Sequence, residues 1–237
     1  MKRGASPFTA DGRLPEGDDK ATAVRAMFDA IAPRYDLVNR IMTFRLDVRW
    51  RRKAVAALRL DRGSVVVDLA CGTGDLCRQL ARHGLRPVGV DVSLGMLLNA
   101  RTDAPLLHAD ALRLPLRDGS VDGATCGFAL RNFVDLPAFL GELGRVVRSG
   151  GRIALLEVAE PENRLLRRGH AIYFGSVVPR IGGLLSDRDA YRYLPQSVAY
   201  LPDPPALLAA VRDAGFADAE RHLLSGGISQ LLTGTRS

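Results

Sequence analysis

Long apolar runs are what this 237-residue chain lacks first. None approaches the ~20 residues of a spanning helix, which excludes a transmembrane reading. The opening Met1-Lys2-Arg3-Gly4-Ala5-Ser6-Pro7-Phe8 has no apolar core of signal-peptide length, so the expected location is the cytoplasm. Cysteine is scarce. Cys71, Cys77 and Cys126 are odd in number and have no His or Cys at zinc spacing, so they read as reduced, buried small hydrophobes, with no disulfide framework and no metal. The four histidines are scattered without spaced partners. Aromatics make up only 6% and are not interleaved with the basic residues, so the net charge of +7 does not point to nucleic acid. Basic clusters occur at Arg49-Trp50-Arg51-Arg52-Lys53 and at Arg164, Arg167 and Arg168. A solvated basic face accounts for them, and so does an anionic lipid surface, which leaves peripheral membrane association open.

What is present is a strand that runs into a glycine turn and a helix start: Val65-Val66-Val67-Asp68-Leu69-Ala70-Cys71-Gly72-Thr73-Gly74-Asp75. Glycine at 72 and 74 removes the Cβ that would hold a ligand off the backbone, and Thr73 and Asp75 offer polar groups at the first helical turn. Nineteen residues after Gly72, Asp91 ends the next apolar run, where a carboxylate accepts hydrogen bonds from both ribose hydroxyls of an adenosine. A dinucleotide site would want a third glycine where Cys77 stands. Asp75 would also repel a pyrophosphate, whereas a sulfonium tolerates it, so S-adenosylmethionine is the expected cofactor. Asp110, at the end of the third strand, is placed to meet the adenine amino group. The fourth strand, Val121 to Phe128, delivers Arg131 and Asn132 to the same carboxyl edge.

The segment from Asp68 through Gly72, Thr73 and Gly74, followed by Asp91, resembles the first two motifs of class I S-adenosylmethionine-dependent methyltransferases. This implies an α/β, Rossmann-like fold with a mostly parallel seven-stranded sheet and an antiparallel C-terminal hairpin. Strands are expected near 64–69, 86–91, 105–108, 121–127 and 152–158, and helices near 75–83, 94–101 and 136–147. A helix over 205–214 then leads to a hairpin of 216–224 and 228–235. Residues 1–20 have the composition of a mobile tail, and 21–237 read as one domain. Its leader over 21–62 carries one helix from Lys20 to Pro33 and a second from about 36 to 58, and the proline-punctuated stretch of about 161–204 reads as a cap.

Three blocks are similar to the menaquinone and ubiquinone biosynthesis C-methyltransferase family: the leader from Met27 through Tyr35-Asp36 and Asn39 to Trp50, then Gly127-Phe128-Ala129-Leu130-Arg131-Asn132, and Asp189-Ala190-Tyr191-Arg192-Tyr193-Leu194-Pro195 followed by Asp213 to Phe216. The resemblance places cofactor contacts on Thr73, Asp91, Asp110 and Ala111, and Asp68, Gly72 and Gly74 of the glycine-turn motif are counted with them as cofactor-binding residues. It departs at Gly127, where the family often has serine, at Ala129 and Arg45, where it has glycine, and at Thr43, where it has serine.

What the resemblance implies is methylation of a ring carbon of a polyprenylated quinol, most simply demethylmenaquinol. The ring is activated by loss of a phenolic proton that titrates near ~10. Arg131 is the first choice to stabilise the phenolate. Asp36, Tyr35, Asp47, Tyr191 and Tyr193 are all candidates to relay the proton or orient the ring, and the sequence does not rank them. In-line placement of donor and acceptor supplies the rest. Gly127 and Arg45 motivate a competing reading, methylation of a soluble metabolite; a third makes the chain a cofactor-binding assembly subunit without catalysis. Oligomeric state, homo-oligomer included, is left open.

Overall fold

The computed structural model describes residues 16–178, 180, 193 and 196–237. Strands β1 (Val65–Leu69), β2 (Arg86–Asp91), β3 (Leu106–His108), β4 (Val121–Gly127), β5 (Val147–Val158), β6 (Glu220–Leu224) and β7 (Ser229–Thr235) form one sheet in the order β3-β2-β1-β4-β5-β7-β6. Pairing is parallel except at β7, which runs antiparallel to both β5 and β6. The order reverses between β1 and β4, so the turns after β1, β2 and β4 open onto one crevice at the carboxyl edge.

Apolar residues run on both faces of the central strands because both faces are covered. Val66 points to one side, among Trp50, Leu58 and Leu80, and Val67 to the other, among Phe139, Leu143 and Ile153. Helices α3 (Leu46–Leu58) and α4 (Asp75–Arg82) cover the first face. Helix α6 (Leu136–Val146) covers the second, together with α8 (Pro204–Asp213). A third apolar cluster joins α1 (Gly17–Ile31) and α2 (Tyr35–Met42) to Met96 of α5 (Leu94–Leu98), through Met27, Ile31 and Val38. The leader therefore packs against the end of the sheet that carries the crevice. Helix α7 (Arg164–Ile172) follows β5.

Several expectations need correction. The tail is shorter than 1–20, because α1 begins at Gly17, with Asp18 and Asp19 in a first turn whose free N–H groups favour negative charge. Residues 1–15 lie outside the described residues, as do Asp189–Arg192, Leu194 and Pro195 of the third resemblance block. The expected helix over 36–58 is two helices, broken at a turn where Phe44 and Arg45 have φ of +50° and +61°. Glycine adopts that left-handed backbone freely, which accounts for the glycine usual at Arg45. Helix α5 stops at Leu98, three residues short, and β6 begins only at Glu220. The strand expected at 152–158 is extended back to Val147, with residues 148–151 looped out of the β4 ladder.

Candidate functional site

Two left-handed glycines shape the turn after β1, for different reasons. Gly72, at φ +56°, has its Cβ direction open, with only Met96 Sδ within 4.0 Å, so the backbone faces free space there. Gly74, at φ +82°, would put a Cβ 2.7 Å from Thr102 Cγ2. Gly74 is thus required by packing and backbone shape; it does not line the crevice, and the idea that it admits a ligand is replaced by that contact.

The Gly72 N–H donates to Asp91 Oδ2 at 2.7 Å, and the Ser93 N–H donates to Asp91 Oδ1 at 2.8 Å. Asp91 is buried, which raises its carboxyl, while these backbone N–H groups pull it back down. A carboxylate has about four acceptor positions, so the backbone bonds leave acceptor capacity for a ligand.

A cavity of about 260 Å³ opens in front of these atoms. It brings together Gly72, Asp91, Asp110, Ala111 and Tyr35 of the predicted residues, with Met96, Phe28, Phe128 and Asn132 among the other walls. Asp110 Oδ1 holds the Leu112 N–H at 2.9 Å. Two carboxylates and one arginine, Arg25, make this lining hospitable to a cation and poor for a phosphate. A larger cavity of about 600 Å³ lies against α4 and β2, lined by Arg78, Arg82, Arg86 and Arg101. Four guanidiniums would repel a sulfonium, and none of the predicted residues lies there, so the smaller cavity is the candidate site.

Asp68, Thr73 and Asp36 are near this cavity without lining it. Asp68 sits beneath the turn, accepting from the Thr125 hydroxyl at 2.8 Å and from the Cys77 thiol at 3.5 Å; burial pushes its carboxyl up to about 7. Thr73 is buried, and its hydroxyl donates to Asp36 Oδ1 at 2.5 Å, which fastens α2 to the glycine turn. Asp36 also has Arg40 at 3.8 Å and Arg78 at 3.9 Å. Asp75 is likewise not the uncompensated charge that was expected. Arg78 pairs with it closely, Arg40 lies at 3.4 Å and Arg51 at 3.7 Å, so its charge is compensated. Discrimination against pyrophosphate falls instead to Asp91 and Asp110.

Arg131 is not the free cation that was expected. Its Nη1 pairs with Glu157 Oε1 and donates to the Phe128 carbonyl at 2.8 Å, and its Nε donates to the Ser197 hydroxyl at 3.0 Å. Both members of the pair are buried, Glu157 completely. An ion pair so enclosed has its charge matched internally, and its role is to hold the loop after β4. Tyr35 does line the cavity. Burial raises its hydroxyl against the opposing pull of Arg51, so at neutral pH it is a donor and not a base.

Residue-by-residue reading missed the groups that close the site. Glu157 is a buried acid near the carboxyl end of β5, a position that could have flagged it. Asp29 of α1 accepts from the Ser93 hydroxyl at 2.5 Å and from the Gly95 N–H at 2.9 Å, and Lys20 Nζ donates to the Phe133 carbonyl at 2.9 Å. Between these two fastenings α1 contributes Ala21, Thr22, Val24, Arg25 and Phe28 to the cavity wall. The Tyr193 hydroxyl donates to Asn132 Oδ1 at 3.2 Å. The three cysteines are free and buried, and burial holds the Cys126 thiol well up. Among the described residues no group of three or more His, Cys, Asp or Glu could hold a metal ion.

The chain matches the ubiE/COQ5 methyltransferase family over residues 16–236. It is 43% identical over 220 residues to a protein named demethylmenaquinone methyltransferase from Thermus thermophilus, covering 89% of this chain and 100% of that one. A Syntrophotalea carbinolica protein named ubiquinone/menaquinone biosynthesis C-methyltransferase UbiE is 41% identical over 222 residues, 90% of this chain and 94% of its own. Solved structures share the fold at low identity. The [4+2]-cyclase SpnF superposes with a TM-score of 0.66 at 17% identity, over 94% of this chain and 98% of its own. A Thermotoga maritima protein described as a possible histamine N-methyltransferase gives 0.63 at 19%, over 90% and 99%.

Proposed function

The chain belongs to the ubiE/COQ5 methyltransferase family, and from that premise we propose that its acceptor is demethylmenaquinol carrying a polyprenyl tail, methylated at a ring carbon. It is an S-adenosylmethionine-dependent C-methyltransferase of quinone biosynthesis. The observation that carries the site assignment is the acid-lined cavity between Asp91 and Tyr35, with the open backbone of Gly72 at its floor. Two relatives at 43% and 42% identity bear the name demethylmenaquinone methyltransferase, which supports the naphthoquinol choice.

In this reading Asp91 takes the ribose hydroxyls and Asp110 the adenine amino group, while Ala111 and Met96 pack beside the nucleoside. Thr73 and Asp68 act from behind, fixing the turn that presents Gly72. Bound there, S-adenosylmethionine supplies an electrophilic methyl group on sulfonium. The acceptor carbon gains that methyl and loses its hydrogen as a proton. Tyr35, held protonated, donates a hydrogen bond to the acceptor oxygen, and Asn132 is the polar group on the facing wall. Among the described lining residues Asp91 is engaged by the backbone and Tyr35 stays protonated, so the chain contributes chiefly placement, and the proton leaves to solvent. Phe28, Phe128 and Phe133 form the apolar part of the wall around the reacting groups. Asp36 and Arg131 serve as positioning residues, for the glycine turn and for the loop after β4.

Among the described residues no helix is long and apolar enough to cross a membrane. A polyprenylated acceptor resides in a bilayer, so the enzyme is read as cytoplasmic, meeting the membrane at its inner face. The test is incubation of purified protein with methyl-labelled donor and a short-tailed demethylmenaquinol, read by mass spectrometry. Methylated quinol supports the proposal. Tight donor binding with no transfer at any protein concentration overturns it.

A further inference from the structure

Helix α7 has no buried residue along its entire length. Leu165, Gly169 and Ile172 fall on one side at i, i+4 and i+7, with Leu165 78% and Ile172 66% exposed. Arg164 and Arg168 border that side, Arg167 lies further round, and no acid occurs on the helix. Only His170 and Leu166 turn partly inward, so the helix gains little from the protein core and its exposed apolar side is left to another partner.

A second patch adjoins it. Leu37, Ile41 and Phe44 repeat at i, i+4 and i+7 along α2 and the turn beyond it, and all are exposed, Phe44 to 75%. The Phe44 ring lies 5.8 Å from that of Tyr173, and the Tyr173 hydroxyl donates to the Met42 carbonyl at 2.8 Å, so the end of α7 and the α2–α3 turn share one surface. Phe44 and the exposed Arg45 both have left-handed backbones, which residues with a Cβ rarely adopt. Two adjacent strained residues that hold a phenyl ring out in water suit a surface whose normal environment is not water.

We propose that this face, formed by α7 and the α2–α3 turn, docks onto an anionic lipid bilayer, with Phe44, Leu165 and Ile172 entering the headgroup boundary and Arg45, Arg164 and Arg168 meeting acidic headgroups. The chemistry is that of an interfacial amphipathic helix: an apolar strip about one helix face wide, bordered by long cationic side chains whose stems stay apolar while their tips reach phosphate. An acidic soluble protein would satisfy the arginines but not the apolar strip. A second copy of this chain would bring its own arginines against them. The inference rests on the reading that the acceptor is membrane-borne, and it adds the surface by which the enzyme reaches it.

The experiment is sedimentation of the full chain with vesicles of phosphatidylcholine alone or mixed with phosphatidylglycerol, at low and high salt. The wild type is expected to pellet with the mixed vesicles, to stay in solution with phosphatidylcholine, and to release as salt rises. Leu165→Ser/Ile172→Ser and Arg164→Glu/Arg168→Glu should each weaken partitioning by about tenfold or more. Both variants should melt like the wild type and methylate a dispersed short-tailed quinol at its rate, while transfer to a long-tailed quinol embedded in vesicles falls. The proposal is overturned if the wild type ignores mixed vesicles, if the variants bind as it does, or if ultracentrifugation shows a dimer that these substitutions dissociate. Face-dependent vesicle binding without methylation of any quinol would leave the docking surface standing and refute the acceptor assignment instead.

Discussion

Replacing Asp68 with asparagine separates two roles for the acid at the end of β1. Asp68 is 1% exposed, and burial pushes its carboxyl from 3.8 up to about 7, with the Thr125 and Cys77 bonds opposing that rise. The folded value lies above the unfolded one, so between those pH values the native chain keeps a proton that the unfolded chain has released. The contribution of this group is therefore fully present below 3.8 and is lost as pH rises toward 7. A gap of roughly 3 pH units at about 1.36 kcal/mol each amounts to about 4 kcal/mol. Asparagine has the same shape, its Oδ1 can still accept the Thr125 hydroxyl, and it has no proton to lose. Urea unfolding of both proteins across the range from about pH 4 to about pH 8 should show similar stability at the acid end, with Asp68→Asn ahead by up to about 4 kcal/mol at the alkaline end. Parallel stability curves would refute the reasoning. The same variant reports on function: if Asp68 acts only from beneath the turn, calorimetric donor affinity should change by less than about threefold. Asp91→Asn, which loses charged acceptors facing the ribose, should lose about tenfold or more.

Three further outcomes follow from the geometry. Arg131→Met should destabilise by about 3–5 kcal/mol by leaving Glu157 buried and unpaired. The double variant Arg131→Met/Glu157→Leu should recover much of that loss, as a double-mutant cycle by chemical denaturation would show. Gly74→Ala should cost at least about 1–2 kcal/mol for its left-handed backbone. Added Thr102→Ser, which removes the methyl that the new Cβ meets, should restore part of the stability lost to the clash, read as a shift in melting temperature. Arg45→Gly should stabilise by about 1 kcal/mol, because glycine suits the observed φ of +61°; an unchanged or lower urea midpoint would contradict that account.

The order of strands and helices was legible because it rests on local signals. Three valines running into Gly72 mark a strand that must turn, and Asp135 and Asp203, with proline at 137 and at 204, mark the starts of α6 and α8, where they accept from the Ala138 and Ala206 N–H groups. The break at Phe44 and Arg45 was not legible, since neither residue type announces a left-handed backbone and the apolar spacing runs through both helices. At the site, Gly72, Asp91 and Asp110 were found from strand ends, where topology alone delivers side chains to the crevice, whereas Ala111 was named only by the family resemblance.

The partners of those residues were another matter. Arg131 was visible as a cation beside the site, but Glu157, 26 residues away on the neighbouring strand, takes its charge, and Asp75 meets Arg40 and Arg51 from the leader. Sequence by itself determined the sheet, the glycine turn and the acids at the strand ends, because periodicity and turn chemistry act over a few residues. Only the tertiary structure decided which charges stay available to a ligand, because compensation depends on distances between segments that the chain order does not encode.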